Sequence, residues 1–126
     1  MRAVDTNVLI RLVTRDDRKQ VAAAESFVRK GAWVSTLVLM EATWVLTAVY
    51  ELNHAEIATA VDMLLHHRDL TIQEPDSVAA ALEQYRSRPA LGFSDCLILE
   101  AARKAGHLPL GTFDRNLSKL DGAEGL

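Results

Sequence analysis

Four carboxylates in this chain stand where a short apolar segment ends or a helix begins. They are Asp5 in Val4-Asp5-Thr6-Asn7, Glu41 in Leu39-Met40-Glu41-Ala42, Asp95 in Phe93-Ser94-Asp95-Cys96, and Asp114 in Thr112-Phe113-Asp114-Arg115. Each placement is ordinary by itself, because acids favour turns and helix N-termini. Gathered at one point they would repel, at a cost of several kcal/mol per pair in a low-dielectric site. A cation offsets that cost. Clustered carboxylate oxygens suit a hard divalent ion, so the pattern predicts a metal held by oxygen.

Glu41 is the sharpest of the four. It is the only charged residue from Leu37 to Tyr50. A helix that is apolar nearly all round is predicted to be buried, and a buried carboxylate needs a cation or a hydrogen-bond network. The competing reading is a solvent-facing Glu near a helix start. Asp95 is expected in the first turn after a Ser94 cap, where the helix dipole alone accounts for it. Asp114 is expected either at a metal or as the cap of a short turn around Arg115–Leu117.

Other chemistries find little support. His66 and His67 are adjacent, so on a helix they point about 100° apart and do not pair as ligands. His54 and His107 fall at helix boundaries. Cys96 has no second cysteine to pair with and lies on an apolar helix face, so it reads as core. There is no Gly-rich phosphate loop and no Gly-x-Ser-x-Gly elbow. Trp33 and Trp44 read as packing residues rather than base-stacking platforms.

The elements that must position the acids alternate between strand and helix. Arg2–Asp5 is a strand candidate ending in an acid. Arg15–Lys30 has helical spacing and is stopped by Gly31. Ala32–Ser35 is the second strand, and Ser35 or Thr36 caps a helix to about Tyr50. Asn53 with Glu56 forms a capping-box start for the next helix. Leu70–Gln73 is a strand, and Pro75 opens a helix to about Tyr85. Arg86–Phe93, with Pro89 and Gly92, reads as a loop. Ser94–Ala105 is a helix ended by Gly106. Leu108–Gly111 is the fourth strand, with a weak fifth after Leu120.

This alternation predicts an α/β fold: one domain over residues 1–126, with a central parallel sheet of four to five strands flanked by helices on both faces. Ligands of such sheets bind beyond the carboxyl ends of the strands. If the first and fourth strands are neighbours, they lie about 4.8 Å apart, and Asp5 and Asp114 can share one ion.

Bulk properties set the bounds. The chain has 126 residues, 49% hydrophobic and 25% charged, enough for a core without staples. One cysteine excludes an internal disulfide and points to a reducing compartment. No apolar run reaches the length of a membrane span, and the start lacks a signal-peptide layout, so a cytoplasmic location is expected. Net charge is −3, which argues against a dedicated basic nucleic-acid surface. Setting the four acids aside leaves +1.

The four segments, in this order, resemble the motifs of PIN-domain nucleases, in particular VapC-type toxins of type II toxin–antitoxin pairs. Val4-Asp5-Thr6-Asn7-Val8-Leu9 is similar to the first motif and Leu39-Met40-Glu41 to the second. Phe93-Ser94-Asp95-Cys96-Leu97-Ile98, with Ala101-Ala102 and Gly106, is similar to the third. Leu110-Gly111-Thr112-Phe113-Asp114 is similar to the fourth. The chain after Asp114 is short for the family.

The resemblance implies a compact α/β sandwich that hydrolyses RNA phosphodiester bonds. It implies that Asp5, Glu41, Asp95 and Asp114 hold one or two Mg²⁺ or Mn²⁺ ions, with Thr6, Asn7 and Thr112 as hydrogen-bonding neighbours. It also implies a homodimer and a cognate VapB-type antitoxin. Arg86, Arg88 and Arg115, close in sequence to Asp95 and Asp114, are candidates for phosphate contact, because a guanidinium can fork onto phosphate oxygens. Two other readings stand beside this one. An aspartyl-nucleophile phosphatase would want an acid two residues after the nucleophile, where this chain has Asn7. A non-catalytic PIN-like binding module would not need all four acids.

Overall fold

A computed structural model describes residues 1–126. The α/β class is as expected. Five short strands and six α-helices follow in the order β1 (Arg2–Ala3), α1 (Thr6–Thr14), α2 (Arg18–Val28), β2 (Ala32–Val34), α3 (Thr36–Ala48), α4 (His54–Leu65), β3 (Leu70–Ile72), α5 (Pro75–Ser87), α6 (Phe93–Ala105), β4 (Leu110–Thr112) and β5 (Ala123–Gly125). The chain divides into two compact units, Met1–Pro75 and Asp76–Leu126.

In the first unit β1, β2 and β3 form a parallel sheet in that order, with Ala3 opposite Trp33 and Trp33 opposite Thr71. Ala32 and Val34 are wholly buried, as expected for strands covered by helices. Helix α1 packs on α2 and α3, and α3 on α4. Leu9, Ile10, Val28, Leu39, Leu46, Val61 and Leu64 supply the core.

The helical stretch expected from Arg15 to Lys30 is α2, Arg18–Val28, and a helix the sequence reading did not expect, α1, precedes it. Arg15 adopts a left-handed φ of 54° and ends α1. Asp17 caps α2 by accepting from the Gln20 amide at 3.0 Å. Ser35 caps α3 through the Val38 amide at 3.1 Å. The Asn53–Glu56 capping box is present in both directions, each bond 2.9 Å.

In the second unit β4 and β5 form a parallel pair, with Gly111 opposite Glu124. The fifth strand therefore exists. The five strands pair as three and two rather than as one ladder, so β1 and β4 are not the hydrogen-bonded neighbours the sequence allowed. Strands of two or three residues have few backbone groups to pair, which limits how far a ladder extends. Helices α5 and α6 meet through an edge-to-face pair, Tyr85 and Phe93, with ring centroids 5.9 Å apart. Leu82, Leu91, Leu97, Leu99 and Leu117 complete this core.

Candidate functional site

Each unit carries two of the four carboxylates. Asp5 lies just past β1. The ladder extends one residue beyond the strand, where the Val4 amide donates to the Trp33 carbonyl at 3.1 Å. In the parallel register Asp5 then stands level with Ser35, the cap of α3. Asp5 is itself the N-cap of α1, with extended backbone, yet its side chain makes no capping hydrogen bond. Its carboxylate is exposed.

Glu41 is six residues past that cap, so it rises about 9 Å along α3 from the strand ends. The expectation that α3 is buried all round does not hold. The helix buries Leu39, Ala42, Thr43 and Leu46, and leaves Leu37, Glu41 and Trp44 exposed. Glu41 is therefore a solvent-facing carboxylate on an apolar helix, and burial does not compel it to find a cation. Packing of α1 on α3 places the carriers of Asp5 and Glu41 side by side. Thr6 is buried, whereas Asn7 is exposed at the edge of a cleft of about 450 Å³ between α1 and α2, floored by Ala23 and Ala24 and walled by Phe27.

In the second unit both carboxylates are held by backbone. The N-cap of α6 is Gly92, not Ser94, because the helix begins at Phe93. Asp95 is therefore the third helical residue, and its Oδ2 accepts from the Gly92 amide at 3.3 Å. A Cβ at Gly92 would lie 3.5 Å from that oxygen. Asp114 caps the short 3-10 turn Leu117–Lys119. Its Oδ1 accepts from the Asn116 and Leu117 amides at 2.8 and 2.9 Å. Thr112, one of the neighbours expected around the site, accepts from the Asp114 amide at 3.0 Å.

The arginines divide. Arg86 belongs to the last turn of α5, which runs two residues beyond the expected end at Tyr85, so the loop after it is shorter than expected. Arg88 and Arg115 are exposed in irregular backbone.

Sequence reasoning passed over Glu100. It is buried on α6, where its Oε2 accepts from Gln84 Nε2 at 3.1 Å and pairs with Arg103 Nε at 3.2 Å. Arg103 continues to the Asp121 carbonyl at 2.7 Å. The signal was available: Glu100 interrupts the run Cys96-Leu97-Ile98-Leu99 and stands three residues before an arginine, an i, i+3 pair. Cys96 is fully buried, and burial, with Asp95 and Glu100 nearby, pushes its thiol up to about 11. A neutral thiol does not act as a nucleophile, in keeping with its reading as core.

The donor set is one of hard oxygens. Taken separately, neither unit gathers three His, Cys, Asp or Glu side chains into a metal cage. Mg²⁺ does not require one, because it keeps several waters and takes one or two carboxylates together with substrate phosphates. Within the first unit, the unengaged Asp5 and Glu41 carboxylates have the chemistry for that demand.

The short parallel strands and the helices that cover them make an α/β fold. Residues 2–123 match the family model described as PIN domain, and the chain belongs to that family. PIN domains are generally metal-dependent nucleases that act on nucleic acid and use divalent ions. No curated protein and no solved structure matches the chain significantly. No helix is long and apolar enough to cross a membrane.

Proposed function

We propose that this chain, as one PIN domain over residues 1–126, is an Mg²⁺-dependent endoribonuclease: a cytoplasmic VapC-type toxin that works as a homodimer and is neutralised by a cognate VapB-type antitoxin. The observation that carries the nuclease reading is the family match over nearly the whole chain, with an exposed, uncapped Asp5 at the end of β1.

Asp5, Glu41, Asp95 and Asp114 are the residues that would hold one or two Mg²⁺ or Mn²⁺ ions. When bound, such an ion lowers the pKa of a coordinated water and stabilises charge on phosphate oxygens. Asp5 and Asp95 are direct ligands in this reading. Glu41, exposed on α3, would orient the metal or accept the proton of the attacking water. Asp114, with one oxygen committed to the 3-10 turn, acts through water. Thr6, Asn7 and Thr112 orient the carboxylates, and Arg86, Arg88 and Arg115 contact phosphate.

The test is cleavage of total RNA with Mg²⁺, with EDTA, and by Asp5→Asn. Mg²⁺-dependent cleavage lost in the variant supports the reading. Undiminished cleavage by Asp5→Asn overturns it. Co-expression with the product of an adjacent short gene tests the toxin role, since rescue of growth is the expected outcome.

A further inference from the structure

The exposed side of α3 is unusual. Leu37, Glu41, Trp44 and Ala48 recur at intervals of four, three and four residues, so they form one stripe along the helix. Leu37 is 79% exposed and Trp44 67% exposed. Glu41 lies between them, one turn from each, at the 5–6 Å Cβ spacing typical of i, i+3 and i, i+4 neighbours. On one helix, Leu37 and Trp44 leave an exposed apolar surface on either side of the Glu41 carboxylate.

We infer that Trp44 is the platform on which an unpaired base of the RNA substrate stacks, next to the phosphodiester presented to Glu41. This rests on the nuclease reading above and names how that site recognises a single strand.

The contact suited to this helix is to a base rather than to a phosphate. From Gly31 to His67 the chain has no lysine or arginine, so α3 has no cation of its own to hold phosphate. A neutral indole suits the uncharged face of a base, while the adjacent carboxylate repels phosphate. Stacking is also affinity that an acidic protein can supply without a basic patch, and it works for any base because each has a π face. A second copy of the chain fits the stripe less well. An isologous contact centred there would bring Glu41 against its own copy's carboxylate, two desolvated anions without a cation between them.

The experiment uses a labelled single-stranded RNA oligonucleotide, the Asp5→Asn chain to prevent cleavage, and Trp33→Phe so that only Trp44 fluoresces. Saturable quenching of that signal by RNA is expected. Trp44→Ala and Trp44→Leu should each weaken binding about 5- to 100-fold, while Trp44→Phe and Trp44→Tyr keep most of it. Trp44→Leu preserves apolar bulk, so it separates stacking from packing. In the otherwise native chain the Trp44→Leu loss should fall on KM more than on kcat.

RNA affinity equal in Trp44→Leu and the parent overturns the inference. So does conversion of a dimer to a monomer in Trp44→Ala with RNA binding unchanged, which would make the stripe a contact between copies. If RNA quenches Trp44 but the native chain cleaves nothing, the nuclease reading fails and stacking stands. If the native chain cleaves RNA and Trp44→Leu does so with the same KM, stacking fails and the nuclease reading stands.

Discussion

The acids of residues 1–75 and those of residues 76–126 are held in opposite ways. Asp5 caps α1 in position only, since its side chain accepts no capping bond, and Glu41 faces solvent from an apolar helix. Asp95 and Asp114 are fastened by main-chain amides, one by the N-cap amide of α6 and the other across a 3-10 turn. A carboxylate without protein partners has its full acceptor capacity for a metal, a water or a proton. One already bonded to amides is aimed in advance and has less to give. In the proposed site the first pair would therefore bring carboxylates with no protein bond to give up, and the second pair carboxylates already oriented by amides.

The largest expected effect breaks the contrast at Asp5. Asp5→Asn should lower RNA cleavage by at least about a hundredfold, the scale of a lost acid–base or metal-coordinating group. It should leave the melting temperature in EDTA unchanged or raised, because no hydrogen bond is lost and one anion is removed. Asp95→Ala should lose activity too, but with a stability cost of about 0.5–2 kcal/mol for the capping bond. Equal destabilisation by Asp5→Ala and Asp95→Ala, measured by urea titration, would erase the distinction.

Glu100 sharpens the comparison from within the second region, as a carboxylate used wholly for structure. Glu100→Ala strands the Gln84 amide and removes the partner of Arg103, at about 1–3 kcal/mol. Glu100→Gln retains an acceptor and should cost less. Denaturant midpoints of the two variants check this, and a Glu100→Gln chain more stable than the parent would show that the buried charge is a net burden.

How far the sequence could be read follows from the range of the forces involved. Local signals were legible: the Asn53–Glu56 box, the Ser35 cap and the Gly106 stop all depend on atoms within one turn. Asp5, Asp95 and Asp114 were found because each sits at such a boundary, and Glu41, in the middle of α3, because it is the only charge from Leu37 to Tyr50. What failed was any inference that needed a neighbour. Helix α3 is apolar all round, and nothing in its own residues tells that Leu39 and Leu46 find the core while Leu37 and Trp44 do not. That left Glu41 open between a buried and a solvent-facing reading, of which the second holds, and it misplaced Trp44 in the packing. The split of five strands into three and two was hidden for the same reason, since strand pairing is a long-range choice. Glycine at the N-cap of α6 was missed because Ser94, a better capping residue by type, stands two positions later.

Asp114 tests whether fastening and chemistry separate in one residue. Asp114→Asn retains an oxygen for the Asn116 and Leu117 amides, whereas Asp114→Ala loses it, so Ala should cost about 0.5–2 kcal/mol more than Asn. Activity should fall in both. Thermal melts alongside cleavage rates read the two effects separately, and full activity in Asp114→Asn would remove this residue from the metal site.

The smallest effect concerns a partnered acid far from the chemistry, and it checks that partnering has the sign claimed for it. Thr14 Oγ1 donates to Asp16 Oδ1 at 2.8 Å, and Tyr50 Oη donates to Oδ2 at 3.1 Å, with Arg11 Nη1 3.0 Å from Oδ1. The Thr14 hydroxyl first, then Tyr50 and Arg11, hold the Asp16 carboxyl below its ordinary range. A carboxyl depressed on folding stabilises the native state above its unfolded pKa, near 3.8, and that contribution disappears as pH falls through the lower folded value. Asp16→Asn should therefore melt below the parent at neutral pH, and the gap should close in acid. Because the group is exposed, salt should narrow the gap as well. A gap that widens on acidification would mean that the hydrogen bonds favour the protonated carboxyl, and the sign assigned to Asp16 would be reversed.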